Sequence, residues 1–438
     1  MPLHLFNTLT GKLDPFTPLD GKTVRMYSCG PTVYSYVHIG NLRTFTFQDI
    51  LRRYLRHCGW ELFHVMNITD VDDKIIAGAG EAGQSLEEYT AEYIRAFEQD
   101  TAALRLERPT RITPATEHID DMIELIRRLS ENGRTYESDG STYYRISSFE
   151  EYGKLSKLDV TGIKAGARVD QDEYEKDNVR DFALWKAAKP DEPHWESPFG
   201  PGRPGWHIEC SAMAMKYLGE SFDIHTGGVD LVFPHHENEI AQAEGATGKP
   251  FVRFWVHGEH LLVEGQKMSK SLGNFYTLCD LIERGYAPAV IRYLLASVPH
   301  RKQLNFTFDG LSAAATAIER LRNFQRRLDG QFPDGENPKI VELAADARRQ
   351  FEAGMDDDLN TAQALAAVFA FIREVNNAID AGEFRDGNVA DAKAVLAFFD
   401  SIFDVLRSDR ELRISASEAL PTSGSAEASS QVSPERIE

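Results

Sequence analysis

The sequence is poor in cysteine. Its four cysteines, Cys29, Cys58, Cys210 and Cys279, are too sparse for a disulfide framework in a chain of 438 residues, so a reduced, cytosolic protein is expected. Long apolar runs are missing too. No stretch approaches the length that spans a bilayer, and the N-terminus has no basic region followed by an apolar one, so neither a membrane partner nor a secretory leader is expected. Positive charge is also in deficit. With 48 Lys and Arg against 68 Asp and Glu the formal charge is −20, which argues against indiscriminate nucleic-acid binding because a polyanion is repelled over most of the surface. A local basic face could still meet one. Arg52/Arg53/Arg56, Arg301/Lys302 and Arg320, Arg322, Arg326, Arg327 are the candidates, each read first as a solvated helix face.

What is there begins as alternating strand and helix signals. Val24–Tyr27 reads as strand, Asn41–Leu55 as helix and Trp60–Met66 as strand, followed by a long helix over about 85–104. Such a β-α-β-α start implies a parallel sheet covered by helices. The expected fold is therefore α/β. A Rossmann-like catalytic domain (residues 1–115 and 197–255) is interrupted by a connective insertion at 116–196. A linking segment (256–310), an all-α bundle (311–407) and a disordered Ser/Ala/Glu-rich tail (408–438) follow. Within the bundle, Asn360 or Thr361 is placed to cap a helix. Gly78–Gly83 and Gly200–Gly205 match a dinucleotide fingerprint as text, but neither has the required strand before it and helix after it, so both are read as loops or helix ends.

Three constellations carry chemistry. Cys29 follows a strand and precedes the turn-forming Gly30-Pro31. Cys210 starts a probable helix in Gly205-Trp-His-Ile-Glu-Cys210, and His235 and Glu239 lie four apart on one helix face. Two thiols, an imidazole and a carboxylate could make a tetrahedral zinc set. From spacing alone, the reading of packing cysteines and a surface His/Glu pair stays open beside it, because dispersed ligands are a weaker signal than a Cys-x-x-Cys pair. Lys267-Met-Ser-Lys-Ser271 puts two lysines among hydroxyls on a loop, which suits a polyphosphate whose charge grows during reaction. His38-Ile-Gly-Asn41, at the mouth of a helix after a strand, suits the same phosphates. Asp70, Asp72 and Asp73 look like a magnesium cluster but are read as a helix cap and structural pairs.

His38-Ile-Gly-Asn41 and Lys267-Met-Ser-Lys-Ser271 resemble the two signatures of class I aminoacyl-tRNA synthetases. Cys29-Gly-Pro-Thr-Val-Tyr34, Asn67-Ile-Thr-Asp-Val-Asp-Asp-Lys74, Phe233-Pro-His-His-Glu-Asn-Glu-Ile-Ala-Gln242 and Met268-Ser-Lys-Ser-Leu-Gly-Asn-Phe275 are similar to the cysteinyl members, over residues 1 to about 405. Asn41 stands where the wider signature has a second histidine.

The resemblance implies zinc on Cys29, Cys210, His235 and Glu239. It places ATP against His38, Gly40, Asn41, Asp230, Lys267, Ser269 and Lys270, with His38, Asn41, Lys267 and Lys270 catalytic, and magnesium accompanying the nucleotide. Thr69, Trp206 and His225 are implied to line the amino-acid pocket. The implied substrates are cysteine, ATP and cysteine tRNA, handled by a monomer. Family members usually carry a further small domain for the anticodon, whereas Ser415–Glu438 lacks the apolar content to fold, so how the anticodon is read is left open. A cysteine ligase acting on a glucosaminyl-inositol amine by the same adenylate chemistry is the alternative enzyme. A non-catalytic paralogue is the third reading. Cys58 and Cys279 are expected to be packing residues.

Overall fold

The computed structural model describes residues 2–157, 181–190 and 192–407, with the Lys270 side chain excepted. The expected tail and residues 158–180 of the expected connective insertion lie outside the described residues. The chain opens with a hairpin, β1 (His4–Asn7) and β2 (Lys12–Pro15). It then runs β3 (Thr23–Ser28), α1 (Ile39–His57), β4 (Glu61–Ile68), α2 (Asp73–Ala82), α3 (Leu86–Ala103) and β5 (Arg111–Pro114). After α4 (Ile119–Glu131), whose buried Ile119, Met122, Leu125, Ile126 and Leu129 form one helical stripe, comes an antiparallel sheet. It consists of β6 (Thr135–Ser138), β7 (Ser141–Tyr144), β8 (Phe182–Ala187) and β9 (Gly202–Pro204). The chain then returns through α5 (Trp206–Leu218), β10 (Phe222–Gly228), α6 (Glu237–Thr247) and β11 (Val252–Gly258).

The main sheet has the order β11-β10-β3-β4-β5, with every pairing parallel. The α/β expectation is met. From β3 the chain builds outward in one direction through β4 and β5, then re-enters on the other side at β10. In such a sheet the carboxyl ends of the two strands flanking the reversal open a crevice where ligands bind. Here those strands are β3, leading into Cys29, and β10, ending at Gly227-Gly228. Gly30 is required by close approach, because a Cβ there would lie 1.7 Å from the Asn67 carbonyl oxygen.

A small sheet, β12 (Leu261–Val263), β13 (Gln266–Lys267) and β14 (Leu304–Phe306), carries the lysine loop. Helices α7 (Leu278–Glu283) and α8 (Pro288–Ala296) lie between β13 and β14. The bundle follows as α9 (Phe308–Arg327), α10 (Pro338–Asp356), α11 (Thr361–Asp380) and α12 (Val389–Phe403). Asn360 is the residue that caps α11, accepting from the Gln363 N–H at 3.2 Å.

Three side-chain expectations resolve differently. Asp72 caps α2 by accepting from Ile75 N–H, while Asp73 pairs with Lys186 and Arg203, as expected of structural carboxylates. Arg52 and Arg53, by contrast, are not a solvated face. Arg52 is buried and donates to the Glu107 and Arg108 carbonyls, and Arg53 donates to Asp49 at 2.9 Å. The loop after α3 runs beside α1, and its Glu107 and Arg108 carbonyls take the donors that the long Arg52 side chain brings. Cys58 is half-buried against the core, but Cys279 is exposed on the short helix α7.

Candidate active site

One end of the crevice is built at the N-terminus of α1. His38 Nδ1 accepts from the N–H groups of Gly40 (3.1 Å) and Asn41 (3.2 Å), and Asn41 Oδ1 accepts from the His38 N–H (3.2 Å). This reciprocal cap satisfies backbone donors that a helix start leaves without partners. A Cβ at Gly40 would come within 3.3 Å of Met268 Cε. The Ile39 N–H donates to the Tyr276 carbonyl at 3.0 Å, and the His38 and Phe275 rings meet edge-on. The two signature segments, about 230 residues apart, therefore touch. Asn274 shapes the lysine loop: its Oδ1 accepts from the Ser269 N–H (2.8 Å) and its Nδ2 donates to the Lys267 carbonyl (3.2 Å). Ser269 Oγ shares a hydrogen bond with Ser271 Oγ, and the Lys267 side chain is exposed.

At the other end four elements converge. Cys29 follows β3, Cys210 lies in α5, His235 lies in the irregular turn between β10 and α6, and Glu239 lies in the first turn of α6. One donor atom from each lies within 4.8 Å of all the others, and all four residues are buried. His225 and His236 complete a second set with Cys29 and Glu239. His225 Nε2 stands 2.9 Å from Glu239 Oε2, and His236 Nε2 stands 3.3 Å from Cys29 Sγ.

The buried groups of this cluster shift one another. A hydrogen bond from Cys29 lowers the Cys210 thiol to about 6 against the opposing effect of burial, while burial and Cys210 push Cys29 well up. Burial would lower His235, but Cys210 and Glu239 raise it to about 10. Burial would raise Glu239, but His225 and His235 hold it down at about 2. Cys210 and Glu239 are thus both shifted toward their charged forms, against burial, by the groups beside them. Two sulfurs, a ring nitrogen and a carboxylate oxygen at such separations fit a zinc-like ion, which would replace those protons.

The expected pocket residues surround this cluster. The Trp206 ring stacks on His235 with centroids 4.3 Å apart. Thr69 Oγ1 donates to Glu209 Oε2 at 2.9 Å, and His225 stacks on Trp255. Asp230 is exposed on the turn after β10, its Oδ1 filling the space that a Cβ on Gly228 would need. Reading the sequence missed four groups. Glu209 is buried with Oε1 unpartnered, and burial raises its pKa well above the carboxylate range. His207 Nδ1 lies 2.8 Å from His235 Nδ1. His236 is linked through His257 to Thr8 by contacts of 2.8 and 2.7 Å. The spacing His207-x-x-Cys210, one helical turn, could have flagged the first histidine. Nothing in the sequence separates His235 from His236.

Residues 15–316 match the family described as tRNA synthetases class I (C) catalytic domain, and residues 350–407 match the DALR domain. The chain belongs to the cysteine branch of the class I tRNA synthetases. A cysteine--tRNA ligase of Solibacter usitatus is 62% identical over 93% of this chain and 88% of its own length. One of Koribacter versatilis is 59% identical over 93% and 83%. Among solved structures, the Mycobacterium tuberculosis methionyl-tRNA synthetase in complex with methionyl-adenylate superposes with a TM-score of 0.63 at 16% identity, covering 88% of this chain and 90% of that one. That likeness concerns the fold. It agrees with the parallel sheet and helical C-terminal region of this synthetase.

Proposed function

We propose that this class I synthetase activates L-cysteine with ATP and transfers the cysteinyl group to the 3′-terminal ribose of cysteine tRNA. The observation that carries the reading is the pairing of a phosphate-suited end, where Met268 lies over Gly40, with a buried thiol-rich end at Cys29 and Cys210, on one sheet crevice. Ligases named for cysteine and its tRNA at 62% and 59% identity favour it over the glucosaminyl-inositol acceptor.

In the first step the cysteine carboxylate attacks the α-phosphorus of ATP, the bond to the bridging oxygen breaks, and pyrophosphate leaves with the electron pair. His38, Gly40 and Asn41 are assigned to the nucleotide at the start of α1. Lys267, Ser269 and Lys270 are assigned to the β- and γ-phosphates, where negative charge builds as pyrophosphate departs; magnesium would enter with ATP. Asp230 is assigned to the ribose or the ammonium group, and Thr69, Trp206 and His225 to the amino acid. In the second step a ribose hydroxyl displaces AMP. No side chain need be a covalent nucleophile, since positioning and charge stabilisation supply the acceleration.

Cys29, Cys210, His235 and Glu239 would hold zinc, whose preference for thiolate over hydroxyl supplies discrimination between cysteine and serine. A pocket judging size alone would separate them poorly. The test is pyrophosphate exchange into ATP, expected with cysteine and absent with serine, followed by charging of a cysteine tRNA transcript beside ligation to glucosaminyl-inositol. Exchange with serine at a comparable rate, or ligation to the sugar amine without charging, would overturn the proposal.

A further inference from the structure

Arg43 stands in α1 just after the signature residues, and its side chain is buried. Its guanidinium reaches two chain segments at once. Nη1 donates to the Glu259 carbonyl at 2.9 Å and to the His260 carbonyl at 2.7 Å. Nη2 donates to the Lys302 carbonyl and lies 3.5 Å from the Pro299 carbonyl. All four acceptors are backbone oxygens, whereas Arg53 and Arg292 pair with the Asp49 carboxylate.

Those two segments frame the lysine loop. Glu259 and His260 immediately precede β12, and Pro299 and Lys302 lie just before β14, which pairs parallel with β12. The Glu259 N–H donates to the His300 carbonyl at 2.7 Å and ties the segments together. On its other side β12 pairs with β13, where Leu262 stands opposite Lys267. Beyond the loop, the Tyr276 carbonyl accepts from the Ile39 N–H at 3.0 Å. The first turns of α1 therefore hold the lysine loop at both roots, through Arg43 where the chain enters the small sheet and through Ile39 where the loop returns. A planar fork of five donors can serve carbonyls on two segments, which the compact ammonium of a lysine cannot span in the same way. Because the acceptors are main-chain, what the contact secures is backbone position.

We propose that Arg43 is a positioning residue for adenylate formation: it fixes where the lysine loop stands over the start of α1, and so where Lys267 and Lys270 meet the departing pyrophosphate. The assignment rests on the phosphate role given to those lysines above. Stabilisation of developing charge depends on donors already in place when the charge appears. A displacement of about 1 Å can cost about 10²-fold in rate, even when its source lies away from the reacting atoms.

The test is Arg43→Lys in the full-length protein, alone and combined with Lys267→Ala. It is read by cysteine-dependent pyrophosphate exchange and by single-turnover transfer from preformed cysteinyl-adenylate to a cysteine tRNA transcript. Alone, the substitution is expected to lower the kcat of exchange by about 10–100-fold, with the KM for cysteine within about twofold of wild type. In the Lys267→Ala background it is expected to cost less than about threefold, because the lysine it positions is already gone. Transfer, which expels AMP rather than pyrophosphate, is expected to stay within about twofold. Arg43→Gln, which buries no charge, takes the place of the lysine variant should that one fail to fold, with the same expectations. Equal losses in the two backgrounds, transfer slowed as much as exchange, or unchanged exchange in the single variant would each overturn the role of Arg43 and leave the synthetase reading intact. A wild type without cysteine-dependent exchange would instead overturn that reading, and this assignment with it.

Discussion

Arg292 is the place to test how the bundle is locked to the signature helix. Its side chain is fully buried on α8. Nη2 lies 2.5 Å from Asp49 Oδ2 on α1, Nε donates to the Phe403 carbonyl at the end of α12 (2.5 Å), and Nη1 donates to the Leu104 carbonyl after α3 (2.9 Å). Arg292→Met removes the charge while keeping a chain of similar length. Two carbonyls lose their donor, and Asp49 keeps only Arg53 at 2.9 Å and the Glu107 N–H at 2.8 Å. Breaking a buried ion pair costs about 3–5 kcal/mol, and because Arg53 remains, the lower end, about 3 kcal/mol, is expected. The measurement is equilibrium urea unfolding followed by circular dichroism, combined with Asp49→Asn in a double-mutant cycle, where a coupling of about 1–3 kcal/mol is expected.

The pH dependence has a definite sign. Burial would raise the Asp49 carboxyl, but Arg292 and Arg53 hold it below its ordinary 3.8. A carboxyl whose folded pKa is depressed contributes stability that is complete above the unfolded value and is lost as pH falls through the folded one. The gap between wild type and Arg292→Met should therefore narrow as pH drops below 3.8. A loss under about 1 kcal/mol at neutral pH, or a gap indifferent to acid, would refute the reasoning.

Lys267→Ala should lower the rate of cysteine-dependent pyrophosphate exchange by about 10²–10³-fold with little change in the KM for cysteine, as loss of one charge-stabilising group would; an equal rise in both KM values would count against that role. Cys210→Ser should reduce bound zinc from about one per chain to a trace by elemental analysis, and cysteine-over-serine selectivity should fall with it. Retention of metal and selectivity would dissociate the cluster from substrate choice. Gly30→Ala should destabilise the chain by about 3 kcal/mol, since its Cβ would collide with the Asn67 carbonyl; an unchanged urea midpoint would contradict that collision.

The sequence by itself determined the chemistry on offer and the local frame that presents it. The alternation of strand and helix signals implied the parallel sheet. Its two long signature words and four dispersed donors are properties of residue type and short spacing, which is where sequence speaks plainly. Tertiary structure alone decided how those pieces meet. Met268 reaches Gly40 because the segment after β13 returns to the start of α1, where the Tyr276 carbonyl accepts from the Ile39 N–H, and Cys29 meets Cys210 because α5, leading into β10, packs on β3. His235 and His236 are indistinguishable as neighbours in the chain, yet the turn after β10 sends one toward Cys210 and the other toward Cys29 and His257. Arg52 looks like a surface residue of an amphipathic helix until the loop after α3 brings the Glu107 and Arg108 carbonyls to it. Hydrogen bonds and ion contacts act over a few ångströms of space, and separation along a chain says nothing about that distance until strand order and crossovers are settled.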